Sequence, residues 1–395
     1  MITQFRFRSL TFFVLCTYIF WGSFGLDITL NPDALRFPLH RYFIALTVFV
    51  FLFNFQSVLM VCAKNKVLLL LIFYVLLTAL WANNPSDILK TFTYLLAVTI
   101  ITIMAALASV DNRVTLIRWM FWLFLLLVLA SIAVGIYYPR VGINLVDFGK
   151  PRWIGITNHP NAMGVQGLVL IWLSVNLFFM CKSKLEKVII MFGACAAFYA
   201  MIKADSMTSL ITSLVLIGYG SYLYLFKRAS ISIKVGIVFV CILSAFFMTV
   251  FYISTSELTS VAAESTDRDT SFTGRSLLWK RSLASLSDHY VFGYGFDELE
   301  QLTRKYRLQM SHLHNGYVET LVKGGLVAIL LLAILLIKTF INQLKIKDQK
   351  DFILLNTGLV MILLHNVTET SMLRGLSTLS ILVTFIVVTT SVAAK

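Results

Sequence analysis

The chain has 395 residues and a net charge of +14, with 58% hydrophobic and only 13% charged residues. Soluble domains carry about 25% charged residues, so this composition excludes a soluble globular protein. The basic residues are spread over short segments between long apolar runs, which excludes a nucleic-acid-binding surface as the reason for the positive charge. The five cysteines all lie in apolar runs, so a disulfide framework is also excluded.

Apolar runs long enough to cross about 30 Å of hydrocarbon as helices occur throughout the chain. Because a backbone in lipid must satisfy its own hydrogen bonds, they predict an all-α polytopic membrane protein with about twelve transmembrane helices. In chain order the runs cover about 9–26, 42–63, 67–82, 91–110, 119–138, 161–181, 188–202, 207–226, 232–253, 317–337, 352–368 and 375–393. The third and seventh runs are short, and a re-entrant helix is the alternative for either.

The distribution of basic residues predicts the orientation of the chain. Short segments on the side of the N-terminus are richer in Lys and Arg than those on the opposite side. By the positive-inside rule, both termini are predicted in the cytoplasm. Residues 254–316, a long polar segment between the ninth and tenth runs, are then outside. We interpret residues 1–395 as one membrane domain with this polar segment inserted as a periplasmic loop.

Two short outer segments carry polar residues. Residues 150–164 include Arg152, His159 and Asn161, which either contact a polar substrate or form an interfacial anchor at a helix start. Spacing alone favours the anchor. Lys203, in the second segment, either binds an anion or extends its amine towards the membrane surface, and composition alone favours the latter.

The polar segment 254–316 contains a predicted amphipathic helix over 273–286. Arg275, Trp279 and Leu283 lie on one face of it, which is typical of a helix in the membrane interface. Arg275 is expected in the first turn, where a cation opposes the helix dipole. A phosphate docked there would offset this cost, because it binds both the guanidinium and the free N–H groups.

The polar segment ends at a histidine motif. One residue separates His312 from His314, a spacing that two metal ligands can have. Because no third potential ligand has suitable spacing, no metal site is predicted. His314 lies at the entry of the tenth predicted span, where it is either a general base or a solvated loop histidine. Trp279, Tyr294 and Tyr317 are candidates to stack on sugars, or else belong to an interfacial aromatic belt.

Taken in order, these segments resemble a known family. The motifs are Arg-Trp-x-Gly-x-x-x-His-Pro-Asn-x-x-Gly, Ser-x-Thr-Ser-Leu, Thr-Gly-Arg-x-x-x-Trp, Gly-Tyr-Gly-Phe and His-Asn-Gly-Tyr-x-Glu, within about residues 75–385. Their order and common side are similar to those of the bacterial O-antigen ligase and polymerase superfamily, which includes exopolysaccharide polymerases.

The resemblance implies an inverting, metal-independent and cofactor-free glycosyltransferase at the periplasmic face of the inner membrane. Its donor is a glycan on undecaprenyl diphosphate, and its acceptor is another glycan or lipid A–core. Membrane lipids and envelope polysaccharide assembly proteins are the other expected partners. The family motifs assign catalysis to His314 and Arg275. The expected substrate-binding residues are Arg152, His159, Asn161, Lys203, Asn315, Tyr317 and Arg374.

Two departures from the pattern favour a repeat-unit polymerase over a ligase. Ligases commonly carry an Arg where this chain has Met207, and Lys203 is the nearest cation. Ala328 stands where the ligase pattern calls for Gly, Thr or Tyr. Two other classes remain as alternatives, a flippase or exporter of lipid-linked oligosaccharides and a structural scaffold. Nearly charge-free spans disfavour a transporter, which needs ionisable groups at the bilayer centre.

Overall fold

The computed structural model describes residues 7–23, 39–145, 150–225, 271–297 and 313–394, of which 39–43, 271–277 and 288 are described by their backbone. The ninth predicted span, 232–253, lies outside the described residues, as does much of the polar segment 254–316.

The described chain is almost entirely helical, as its apolar runs predict. The helices are α1 (Arg8–Ser23), α2 (Leu39–Phe53), α3 (Phe55–Lys64), α4 (Lys66–Leu77), α5 (Pro85–Ala108), α6 (Arg113–Tyr137), α7 (Pro139–Gly142), α8 (Pro160–Met180), α9 (Lys184–Lys203), α10 (Met207–Leu225), α11 (Ser271–Ala284), α12 (Gly316–Gln343), α13 (Gln349–His365) and α14 (Thr378–Ala393). Single 3-10 turns follow α4 at Thr78–Leu80 and α11 at Ser285–Asp288. Strands β1 (Ile143–Asn144) and β2 (Arg152–Trp153) pair antiparallel.

Six of the described helices, α5, α6, α8, α9, α10 and α12, are long and apolar enough to cross a membrane. This confirms a polytopic helical membrane protein, while the number twelve stays a prediction. The seventh predicted run, 188–202, forms the 20-residue helix Lys184–Lys203 and is one of the six. It therefore does not need the re-entrant alternative.

The second predicted run, 42–63, is not a continuous helix, and that expectation is wrong. Its two parts, Ile44–Phe53 and Phe55–Lys64, meet at an angle of 97°. The bend lies at Asn54, whose side-chain amide donates to the carbonyl of Val50 at 2.9 Å. A short amide side chain that bonds the preceding turn competes with the regular helical pattern, which explains a break at this residue.

A polar network lies inside the bundle, between α8, α10 and α13. Asn176 accepts a hydrogen bond from the Tyr224 hydroxyl at 3.1 Å and donates to Thr357 Oγ1 at 3.3 Å. Asn356 accepts from the Tyr219 hydroxyl at 2.5 Å, and its amide donates to a glutamine of α12. The amide and hydroxyl groups of these five residues are therefore paired with one another or with neighbouring groups, as a dry interior requires.

Helix α12 is broken at Gly325, which has φ +62° and ψ −163°. The two N–H groups beyond the break, of Leu326 and Val327, donate to the carbonyls of Tyr290 and Val291 at 3.0 and 3.2 Å. A Cβ at position 325 would collide with the backbone of Val291, so only glycine allows this approach. The polar segment thus supplies hydrogen-bond partners, at Tyr290 and Val291, for N–H groups that the broken helix leaves unpaired.

The apolar face of α11 packs against protein, so the expectation of a helix in the membrane interface is wrong. Trp279 is 4% exposed, and Leu286 is fully buried. Both belong to one cluster with Leu313, Val318 and another valine on α12. The indole N–H of Trp279 also has a partner here, the carbonyl of Leu313 at 2.5 Å. A buried tryptophan with a satisfied N–H has no need of the interface.

The start of α11 also differs from the sequence prediction. The helix begins at Ser271, so Arg275 is its fifth residue rather than a first-turn residue. One helical turn takes 3.6 residues. The backbone N–H of Arg275 therefore lies beyond the free first-turn donors that the sequence argument assigned to a phosphate.

Candidate functional site

The segments predicted to lie outside meet at one end of the helix bundle. Gly316, at the start of α12, donates its N–H to the carbonyl of Asn366 at 2.9 Å. The hydroxyls of Ser23 and Thr378, at the ends of α1 and α14, lie 2.6 Å apart. A cavity of about 680 Å³ lies between these ends. Its polar lining includes His159, Asn161, His314, His365, Glu369 and Arg374.

His314 is held between two anchored neighbours. On one side, Leu313 receives the indole N–H of Trp279. On the other, Asn315 is the N-cap of α12, and its side chain accepts two first-turn N–H groups at 3.0 Å each. Between them His314 adopts φ +49°. This left-handed backbone conformation is energetically unfavourable for any residue other than glycine. This strain and these anchors fix the imidazole in the cavity wall.

The imidazole of His314 pairs with a carboxylate. His314 Nδ1 lies 3.2 Å from Glu369 Oε2, and each side chain is 13% exposed. The other oxygen of Glu369 accepts from the Asn161 amide at 2.5 Å, and Asn161 Oδ1 accepts from Arg152 at 3.1 Å. Four residues from three distant segments therefore form one chain of hydrogen bonds that ends on His314.

Arg152 organises the neighbouring backbone as well. It lies on β2 and donates to the carbonyls of Ala204 and Asp205 at 3.0 and 2.9 Å, which joins β2 to the turn between α9 and α10. Asp205 has φ +50° in this turn. Arg152 is thus placed to hold Asn161 and the turn together.

Lys203 lies apart from the cavity lining in the described residues. Its Nζ stands 5.4 Å from the ring centre of Trp153 and 5.6 Å from that of Tyr199. These are cation–π distances at an exposed site, worth about 0.5–1 kcal/mol. Lys203 is close in sequence to the site, but its amine is directed onto these rings.

The remaining predicted residues divide between the cavity and its supports. His159 lines the cavity and is the N-cap of α8, where its Nδ1 accepts the N–H of Asn161 at 3.1 Å. Arg374 lines the cavity and is the one Arg or Lys among the described lining residues. Tyr317 supports the site from behind, because its hydroxyl donates to the carbonyl of Leu363 at 3.1 Å. For Arg275, only the backbone of α11 is described.

Glu319 links Leu313, the residue before His314, to Thr370 in the segment after α13. Its carboxylate accepts from the N–H of Leu313 at 3.3 Å and from the hydroxyl of Thr370 at 2.7 Å. Lys323, one turn further along α12, lies 3.1 Å from the same carboxylate and balances its charge. The Glu that closes the His-Asn-Gly-Tyr-x-Glu motif is therefore a positioning group beneath His314.

The end of the polar segment is fastened to the loop before α5. Asp297 accepts the backbone N–H of Asn84 at 3.1 Å, and its side chain is buried. Burial raises the pKa of Asp297 above its ordinary value, although the Asn84 N–H and the charge of Lys323 partly offset this effect. A neutral carboxyl is thus favoured at this contact more than in the unfolded chain.

Comparison with known proteins agrees with the motifs. Residues 192–333 match the model of the family described as O-antigen ligase. This matched region contains Lys203, Arg275 and His314. Part of the chain is therefore similar to the O-antigen ligase family.

A second similarity covers more of the chain. Over 312 residues, it is 25% identical to the exopolysaccharide production protein ExoQ of Rhizobium meliloti (strain 1021). The similar region is 71% of this chain and 67% of that protein. The superfamily resemblance seen in the sequence is therefore confirmed.

Sequence reasoning missed Glu369 and His365, which both line the cavity. Each lies at the end of the predicted span 352–368, with no motif around it to mark a site. Glu369 is 55 residues from its partner His314, so only the folded chain brings them together. A lone acidic residue just beyond a predicted span was the one available signal.

Within the described ranges, no group of three or more His, Cys, Asp and Glu side chains has an arrangement suited to a metal ion. The described lining of the cavity offers hydrogen bonding and proton transfer by His314 and Glu369, together with the charge of Arg374.

Proposed function

We propose that this protein transfers an undecaprenyl-diphosphate-linked glycan onto a sugar hydroxyl in O-antigen or exopolysaccharide assembly. The observation that carries the proposal is the His314–Glu369 pair, 3.2 Å apart, in a cavity of about 680 Å³ at the end of the bundle where the superfamily motifs meet. A paired histidine in a polar cavity suits removal of a proton from an acceptor hydroxyl.

The proposed reaction is a single displacement. The acceptor oxygen forms a bond to the anomeric carbon of the donor glycan, while the bond from that carbon to the phosphate oxygen breaks. The electron pair leaves with undecaprenyl diphosphate, and the acceptor proton passes to His314. Glu369, beside Nδ1, favours the tautomer with its proton on that atom, which leaves Nε2 as the base. It also stabilises the imidazolium that forms.

The leaving diphosphate needs positive charge, because preorganised cations and N–H donors stabilise charge that develops in the transition state. The superfamily motif assigns this role to Arg275. Arg374 supports it in the structure, since it lines the cavity. Arg152 contributes through position, because its guanidinium holds Asn161 and the turn at Asp205.

The active face is proposed to be periplasmic, with both termini in the cytoplasm. Arg8, Lys64 and Arg118 lie at or near the ends of α1, α3 and α6, on the end of the bundle that the basic residues assign to the cytoplasm. The cavity lies at the opposite ends, where undecaprenyl-linked glycans of the inner membrane would be presented.

A repeat-unit polymerase is the favoured role. Met207, where ligases commonly carry Arg, is 55% exposed at the start of α10, and Ala328 is fully buried. The name of the ExoQ relative, exopolysaccharide production, also suits polymerisation. A ligase that joins glycan to lipid A–core is the second candidate, because the matching family model is described as O-antigen ligase.

The test uses a strain in which the gene is deleted and then restored with variants. His314→Ala is expected to abolish the surface glycan ladder at normal protein level. His289→Ala is the matched control, because His289 is exposed, packs on Tyr294 with ring centres 4.2 Å apart and does not line the cavity.

The ladder of the deletion strain separates the two roles. Single capped repeats on lipid A–core indicate a lost polymerase, whereas long chains left on undecaprenyl diphosphate indicate a lost ligase. An unchanged ladder with His314→Ala at normal protein level would refute the proposed enzyme.

A further inference from the structure

The first turn of α14 faces the cavity with an unused capping residue. Ser377 occupies the N-cap position of this 16-residue helix, yet its side chain caps no N–H group. Its hydroxyl oxygen is buried and has no hydrogen-bond partner, and the residue lines the cavity. A serine at this position normally accepts a first-turn N–H, which stabilises the helix. Ser377 therefore lacks the capping hydrogen bond that a serine at this position usually makes, and it does so at the cavity wall.

A second unpartnered group lines the same cavity. His365, the last residue of α13, is 2% exposed, and its Nε2 has no hydrogen-bond partner. Its Nδ1 lies 2.8 Å from the hydroxyl of Ser371. If that hydroxyl donates to Nδ1, the neutral ring carries its proton on Nε2 and offers a donor. A buried polar group without a partner is destabilising, and a bound ligand that pairs with it would remove this cost.

The surroundings of these two groups select for an anion. Thr378 and Leu379, the first two residues of α14, line the cavity, so the positive end of the helix dipole lies in its wall. The first turn contains no acidic residue. Arg374 lines the cavity three residues before Ser377. The lining carboxylate, Glu369, already accepts from Asn161 and pairs with His314.

We propose that the first turn of α14, with Ser377, His365 and Arg374, binds the diphosphate of the lipid-linked substrate. The inference rests on the proposed function and specifies where the donor anion lies. First-turn N–H groups and a guanidinium bind phosphate oxygens, and the Ser377 hydroxyl and the His365 ring add two donors. A sugar hydroxyl would use these donors too, but it gains nothing from the dipole and the cation. The diphosphate then shares one cavity with the base that activates the acceptor.

The test measures binding rather than transfer. The full-length protein is placed in nanodiscs of phosphatidylcholine, and inorganic pyrophosphate and undecaprenyl diphosphate are titrated by calorimetry. Ser377→Ala is expected to weaken both ligands about tenfold, and Arg374→Ala at least as much. Ser380→Ala is the matched control, because its hydroxyl is also unpartnered and lies one turn further along α14, away from the cavity lining. Arg140→Ala, an exposed arginine on α7, is the control for charge.

The outcomes separate this site from the proposed function. Equal binding by the Ser377→Ala and Ser380→Ala proteins would overturn the diphosphate site, as would binding only in nanodiscs that contain phosphatidylglycerol. If His314→Ala keeps transfer while Ser377→Ala loses diphosphate binding, the proposed function fails and the site stands. If His314→Ala loses transfer while Ser377→Ala binds as the wild type does, the site fails and the proposed function stands.

Discussion

Among the described residues, the polar network between α8, α10 and α13 differs from the lining of the cavity in how completely the polar side chains are paired. In the polar network, the amides of Asn176 and Asn356 both donate and accept hydrogen bonds with nearby groups. In the cavity, Nε2 of His365 and the hydroxyl of Ser377 have no partner. A paired group in a dry interior is explained by stability alone, whereas an unpaired one at a cavity needs another explanation.

This difference also bears on the transporter alternative. A flippase or exporter needs polar groups along a path through the bilayer. The polar network lies inside the bundle, but its hydrogen-bonding groups are already paired with one another or with neighbouring groups. The described residues therefore favour chemistry at one end of the bundle over passage through it.

Among changes that keep His314, the largest effect is expected from the carboxylate that pairs with it. Glu369→Gln keeps the size of the side chain but removes its charge, so it no longer stabilises an imidazolium. We expect transfer to fall by about 10²–10⁴-fold, the usual contribution of acid–base catalysis. The measurement is turnover by purified protein with a lipid-linked donor, alongside thermal unfolding. Full activity of a folded Glu369→Gln protein would show that the pair is only structural.

A substitution in the polar network should lower the stability of the protein and leave the transfer activity of the folded molecules unchanged. Asn176→Leu removes the acceptor of the Tyr224 hydroxyl and a donor to Thr357. Leaving such buried groups unpaired should lower the free energy of unfolding by about 1–3 kcal/mol, with transfer per folded molecule unchanged. Thermal unfolding in detergent and turnover normalised to folded protein test this together. A stable Asn176→Leu protein without activity would reverse the roles assigned to the two groups.

The smallest effect is expected at Asp297, which is buried but has a partner. Because its pKa is raised in the folded protein, the folded state holds the proton more tightly than the unfolded state does. The contribution of Asp297 to the stability of the folded state is therefore most favourable below its unfolded pKa of about 3.9. This contribution is lost as the pH rises through its folded pKa. Asp297→Asn keeps an acceptor for Asn84 but does not titrate.

We expect the Asp297→Asn protein to be more stable than the wild type at neutral pH, with a flatter dependence of stability on pH in the acidic range. Thermal unfolding of both proteins from about pH 4 to pH 8 measures this, a range that starts near the unfolded pKa of aspartate. A parallel pH dependence of the two proteins would show that the pKa of Asp297 is not raised.

Short motifs predicted part of the lining of the cavity, because they lie at helix ends and meet at one end of the bundle. His159, Asn161, His314 and Arg374 were predicted and line one cavity. Trp279 was given the wrong environment, since an apolar helical face looks the same whether lipid or protein covers it. Its actual partner, the carbonyl of Leu313, is a contact between two different segments.

The amino-acid sequence by itself determined the class of this protein, since long apolar runs must form helices in lipid and leave their polar connections at the ends. It also carried the superfamily resemblance, through motifs whose order along the chain does not depend on contacts. The tertiary structure alone decided which polar groups are paired. Glu369 reaches His314 across 55 residues, and Ser377 is left unpaired although its local sequence suits a cap. Pairing depends on distances between segments, and a linear pattern does not contain these distances.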